Sequence, residues 1–196
     1  MRYIILTLTL LISFSSFAQK AEDYFKNGVN KADNGDIYGA ISDFTKVIEL
    51  TGDSGAYYNR GCLKADLNDN DGAIADFTKA IEIDPNYADA YYNRGIAKGK
   101  LKDHYGAFKD YTKAIEFKPN DAVSYYNRGL AQDNLEDYYA AISDYTKAIK
   151  INPNYSNAYN NRAIAKEMLG IDGCADARKA KQLGGGSDKL IELACQ

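Results

Sequence analysis

Aromatic, small and charged positions recur along this chain at a fixed interval. Tyr-Tyr-Asn-Arg-Gly stands at Tyr57 to Gly61, Tyr91 to Gly95 and Tyr125 to Gly129, each copy 34 residues after the last. Tyr159-Asn160-Asn161-Arg162-Ala163 is a worn copy in the same phase. A second block follows at Ala73 to Ile81, Ala107 to Ile115 and Ala141 to Ile149, and the only prolines, Pro85, Pro119 and Pro153, close successive copies. An opening copy starts at Tyr24-Phe25-Lys26-Asn27-Gly28 and runs through Ala40 to Ile48; Leu50-Thr51-Gly52-Asp53 replaces its proline turn. Each copy predicts two helical segments of about 13 residues, joined by Asp- and Gly-bearing turns such as Asn34-Gly35-Asp36. Gly61, Gly95 and Gly129 each cost a helix roughly 1 kcal/mol relative to Ala, so their recurrence predicts a close approach of the paired helices. Ala73, Ala107 and Ala141 fit the same contact, and the Tyr or Phe four residues later fills the neighbouring gap. One hairpin buries only one face, so stacked neighbours must complete the core.

These positions resemble the tetratricopeptide-repeat family: an aromatic, Gly four residues on, Ala twelve further, an aromatic, a second Ala and a closing Pro. Tyr57, Gly61, Ala73, Phe77, Ala80 and Pro85 fit, as do Tyr91, Gly95, Ala107, Tyr111, Ala114 and Pro119. Tyr125, Gly129, Ala141, Tyr145, Ala148 and Pro153 fit again. The last copy keeps Tyr159, Ala163 and Ala175 but places Lys179 at the aromatic position. The resemblance implies an all-α fold, a solenoid of helix–turn–helix pairs wound as a right-handed superhelix with a concave groove. The expected repeats span about 21–53, 54–87, 88–121, 122–155 and 156–183, in a single domain over 19–196. A capping helix is expected over about 187–194, beyond the Gly184 to Gly186 break.

In this family the first helix of each pair lines the groove, which implies that Tyr58, Tyr92 and Tyr126 face it, with Asn59, Asn93, Asn127 and Asn161 beside them. One turn on come Cys62, Ile96, Leu130 and Ile164. A primary amide carries two donors and an acceptor, so the Asn row could hold the backbone of an extended peptide whatever its side chains. Tyr rings add contact area at low entropic cost. A similar asparagine ladder grips peptide backbone in O-linked N-acetylglucosamine transferases. The alternative is that these amides bond only between neighbouring helices. The carboxylate clamp of heat-shock co-chaperones matches poorly, since Phe25, Val29 and Val123 stand where polar or basic residues are expected.

Arg60, Arg94, Arg128 and Arg162 recur in step with Asp43, Asp76, Asp110 and Asp144, which predicts half-buried ion pairs inside the stack. Arg178 replaces the Asp of the last copy, so Arg162 is expected to lack that partner.

With 24 basic and 27 acidic side chains the net charge is −3, too balanced for a nucleic-acid binder. One His and three Cys exclude a His-rich metal centre and a four-cysteine zinc site. His104 reads as a turn residue. Asn68 to Gly72 superficially resembles a calcium loop but has Leu67 in the first ligand position and Thr78 at the closing one. Gly184 to Gly186 lacks the lysine of a phosphate loop, and no nucleophile–base set assembles. No metal, cofactor or catalytic residue is expected.

The start, MRYIILTLTLLISFSSFAQK, has the layout of a secretory signal over 1–18, with cleavage expected between Ala18 and Gln19. Nothing later is long or apolar enough to span a bilayer. In an exported compartment, Cys174 and Cys195 are expected to form a disulfide that closes about 22 residues and adds roughly 3 kcal/mol, leaving Cys62 outside it. The expected role is a non-catalytic scaffold, periplasmic or secreted, that binds a protein or peptide in the groove. The alternative is an architectural subunit of an exported complex with no peptide ligand.

Overall fold

The structure, a computed structural model, describes the backbone of residues 2–195 and the side chains of residues 17–195. Eleven helices follow one another among these residues, with no strand. The chain forms two compact units, one up to Ala90 and one from Tyr91. In the first unit, α1 (Arg2–Asp33), α2 (Ile37–Thr51), α3 (Ser54–Asp66) and α4 (Asn70–Ile83) pack in sequence, each on the next. The second unit holds most of α5 (Ala88–Lys100), then α6 (His104–Phe117), α7 (Ala122–Asn134), α8 (Tyr138–Ile151), α9 (Ser156–Met168) and α10 (Cys174–Gln182). A last helix, α11 (Asp188–Ala194), packs on α9 and α10.

Local chemistry sets the helix ends. Asp36, Asp69, Asp103 and Asp137 start the second helix of each pair by accepting the backbone N–H three residues on. The residue before each is left-handed: Gly35, Asn68, Lys102 and Glu136 have φ of 80°, 62°, 64° and 61°. This geometry lets the chain reverse in three residues. Asn68 and Asp69 therefore close an inter-helix turn, with Asp69 engaged as the cap of α4, and Asn70 to Gly72 form that helix's first turn.

The glycines of the first helices meet the aromatic rings of their own partners. A Cβ at Gly61 would lie 2.8 Å from Phe77, one at Gly95 2.8 Å from Tyr111, and one at Gly129 2.7 Å from Tyr145. Phe77 and Tyr145 are fully buried, as are Ala73 and Ala141. At such separations a methyl group would displace the ring.

The fifth repeat corrects the sequence register by two residues. Its partner for Arg162 is Asp176, with Nε–Oδ2 2.9 Å and Nη2–Oδ1 2.5 Å, so Arg162 does not lack a carboxylate. The spacing is 14 residues in place of the 16 seen at Arg128–Asp144. Ala177, not Lys179, therefore takes the aromatic position. Ala163 replaces glycine opposite it, and the two alanines share a core cluster with Leu190 and Ala194 of α11. Loss of the ring permits the added methyl, and the last helix fills the remaining space.

α1 runs unbroken across the Ala18–Gln19 junction. Met1 and the side chains up to residue 16, most of the expected export segment, lie outside the described residues. No helix among the described residues is long and apolar enough to cross a membrane.

Candidate functional site

The row read from the first helices divides between the two units. In the first unit, Tyr58 lies 4.9 Å from Tyr87 and 5.9 Å from Phe77, measured between ring centroids. Asn59 turns its amide onto its own helix, where Nδ2 donates to the Gly55 carbonyl at 2.8 Å. Burial pushes the Cys62 thiol up to about 11, although its hydrogen bond with Tyr58 pulls the other way. Burial likewise raises the Tyr58 hydroxyl and brings that of Tyr87 to about 12. Near this row, a 670 Å³ cavity is lined by Phe25, Val47, Ser54 and Tyr87, among others.

In the second unit the amides and phenols interlock. Asn127 Nδ2 donates to the Tyr92 hydroxyl at 2.8 Å, and Asn161 Nδ2 to the Tyr126 hydroxyl at 3.1 Å. The Tyr126 ring lies tilted 4.9 Å from Tyr155 and 5.8 Å from Tyr145; Tyr92 lies 5.8 Å from Tyr111. All of Tyr92, Asn93, Tyr126, Asn127 and Asn161 are half-buried. Burial, and to a lesser degree Asp121, raises the Tyr92 hydroxyl against the Asn127 bond. Burial and the Asp133 charge raise that of Tyr126.

These bonds join successive first helices, the structural role the sequence left open. A phenol that accepts from an amide still has its own proton to donate. The row thus presents hydroxyl donors on aromatic rings as well as amides. Tyr87 and Tyr155 belong to it and were missed by sequence reasoning. Their signal is position: each follows two residues after a proline, Pro85 or Pro153, while Asp121 holds that place after Pro119.

A second cavity, of 310 Å³, opens beside the row in this unit. Ile96, Gly99, Tyr111, Asn127, Leu130 and Asn134 contribute to its lining, and His104, first residue of α6, also borders it.

The arginines are structural. Arg60 grips Asp76 through Nε and Nη2 at 2.9 and 2.7 Å, and reaches Thr45 Oγ1 of the preceding repeat at 3.0 Å. Arg128 makes the same fork to Asp144 at 2.7 and 2.7 Å, with Thr112 at 3.3 Å. Their side chains are 16% and 18% exposed and those of the aspartates 5% and 7%, so the pairs sit at the edge of the core. Lys64, Lys98 and Lys166 add a second cation to Asp76, Asp110 and Asp176.

A disulfide joins Cys174 to Cys195, with a Cα–Cα distance of 4.7 Å, and ties α11 to the start of α10. No group of three or more His, Cys, Asp or Glu among the described residues is placed to hold a metal ion.

Comparison with known proteins agrees with the fold. The TPR repeat family matches residues 61–102, and two Tetratricopeptide repeat families match 88–121 with 122–155, and 144–181. The chain is built of tetratricopeptide repeats. Among solved structures it is similar to the MamA protein at 27% identity and TM-score 0.81, over 85% of this chain and 92% of that one. It shares the fold of MamA 41-end from Desulfovibrio magneticus RS-1, at 23% identity and TM-score 0.75, over 89% and 94% of the two chains. It also shares the fold of YrrB, described as a TPR protein with an unusual peptide-binding site, at 19% identity and TM-score 0.77, over 91% and 95%. No curated protein matches the sequence.

Proposed function

We propose that the chain is a non-catalytic interaction scaffold that lays an extended polypeptide segment along the first-helix face of its repeats. In the second unit the contact residues are Tyr92, Asn93, Tyr126, Asn127 and Asn161, joined by Tyr155; in the first unit they are Tyr58 and Asn59, joined by Tyr87. One observation carries the reading: Asn127 and Asn161 fix the Tyr92 and Tyr126 hydroxyls as acceptors, which directs the phenol protons toward another acceptor. A peptide carbonyl offers that acceptor at every residue, and the tyrosine rings offer area at low rotameric cost. Tetratricopeptide repeats generally serve as protein-interaction scaffolds, and the peptide-binding site in YrrB's description is in line with this role. The Cys174–Cys195 bridge supports work in an oxidising, exported compartment.

A second reading makes the chain an architectural subunit that assembles through its second helices. It rests on Tyr38, Tyr105 and Tyr139, which stand 75%, 58% and 71% exposed near the starts of α2, α6 and α8.

Selection of short random peptides on the full chain tests the main reading. Enriched peptides are expected to lose binding when Tyr92 and Tyr126 are both changed to Ala, with helix content preserved. Equal binding by that variant, or no enrichment at all, refutes it.

A further inference from the structure

Gly99 is unlike the other helical glycines of its unit. A Cβ at Gly95 or Gly129 would strike a ring, whereas one at Gly99 would meet nothing within 4 Å. Its φ is not left-handed, because the positive-φ glycines are Gly35, Gly52, Gly170, Gly184 and Gly186. Neither close approach nor backbone conformation therefore calls for glycine in the last turn of α5, where it weakens the helix. The same register holds Ala65, Asp133 and Glu167 in the other repeats. The absent side chain leaves room in the 310 Å³ cavity, whose lining of Ile96, Tyr111 and Leu130 is apolar. Asn127, which anchors the Tyr92 hydroxyl, borders the same cavity.

Two carboxylates act on the phenols of the row beside this cavity. Asp121 acts on the Tyr92 and Tyr155 hydroxyls and Asp133 on that of Tyr126. Arg128 is held by Asp144, Arg162 and Lys166 by Asp176, and Lys98 by Asp110. Asp133 Oδ1 is buried without a hydrogen-bond partner, while its other oxygen accepts from Tyr145.

We infer that the Gly99 cavity is a side-chain subsite for a large apolar residue of the guest segment, flanked by a lysine or arginine that Asp121 and Asp133 attract. A leucine, methionine or phenylalanine side chain fits a space of this volume, where Ile96, Ala107, Tyr111, Leu130 and Ala131 line it beside Asn127, Asn134 and His104, and its removal from water supplies the affinity. The carboxylates supply charge complementarity, and the rings of Tyr126 and Tyr155 accept the cation on their faces. This subsite rests on the scaffold reading above; it adds which side chains the guest must carry.

Peptide selection on the full chain is again the probe, now compared between wild type, Gly99→Ala and Gly99→Leu. Wild type is expected to enrich an apolar position next to Lys or Arg. Gly99→Leu fills the cavity and is expected to bind those peptides at least tenfold more weakly, with a melting temperature no lower than wild type. Gly99→Ala should weaken them less and melt higher, which keeps the test valid if the larger residue unfolds the helix. Equal affinity for wild type and both variants overturns the subsite. Enriched peptides without the apolar–basic pattern, yet lost on Tyr92→Ala with Tyr126→Ala, overturn the subsite and leave the scaffold standing. No enrichment overturns both.

Discussion

The ion pairs of the repeats are not equivalent, and the difference predicts unequal costs. Asp76 holds both Arg60 and Lys64, each at 2.7 Å. Asp144 holds Arg128, but the register that carries Lys64, Lys98 and Lys166 carries Gln132 in this repeat, buried with its Oε1 unpartnered. Arg128→Met keeps most of the apolar stem and removes the charge, which leaves a carboxylate 7% exposed with no cation. Removing one partner of a buried pair costs about 3 kcal/mol or more. Arg60→Met removes the fork to Asp76 and the bond to Thr45 but leaves Asp76 with Lys64, so the cost is that of lost hydrogen bonds without a stranded charge, about 1.5 kcal/mol. Urea unfolding followed by circular dichroism should show the larger drop for Arg128→Met. Gln132→Lys in that background should recover part of it, because Lys64 and Lys98 span the same register to their aspartates at 2.7 and 2.8 Å. Equal losses at the two arginines, or no recovery with Gln132→Lys, would refute this view of the ladder.

Three further outcomes follow from the geometry. Burial raises the Asp133 carboxyl, with the Tyr145 bond opposing, so its contribution to stability is whole below the ordinary carboxylate range and lost as pH rises through the raised value. Asp133→Asn should therefore be more stable than wild type at neutral pH, with the gap closing as pH falls toward 4; thermal melts across that window check it. Glu136 and Lys102 hold left-handed conformations that glycine adopts without strain. Changing either to Gly should add about 0.5–1 kcal/mol in urea unfolding, after the entropy glycine gives the unfolded chain. Reduction of Cys174–Cys195 should remove up to about 3 kcal/mol. It should also expose the amides of α11 to hydrogen exchange, since a helix of 7 residues that buries Leu190 and Ala194 does not persist alone.

Much of this architecture could be read from spacing. Gly61 and Phe77 announce their contact because a helix tolerates a recurrent interior glycine only for a reason, and here the reason is a ring. The Arg60–Asp76 and Arg128–Asp144 pairs were legible for the same cause, two residue types recurring in step. The fifth repeat was not, because periodicity carries no information once two residues are lost; only the contact of Arg162 with Asp176 restores the register. The asparagine row shows a second limit. Recurrence marked Asn127 and Asn161 as constrained, but an amide that grips a guest and an amide that grips Tyr92 or Tyr126 leave the same trace in sequence. Gly99 escaped notice because it occurs once; its meaning depends on the empty space beside it.

The most direct test places a photo-reactive benzoylphenylalanine at single positions of the full chain in its native cells. At position 92 or 126, on the first helices, irradiation should yield a cross-linked polypeptide partner; at 105 or 139, on the exposed starts of the second helices, it should yield little. Partners captured at 105 and 139 and none at 92 or 126 would contradict the account and favour assembly through the other helices.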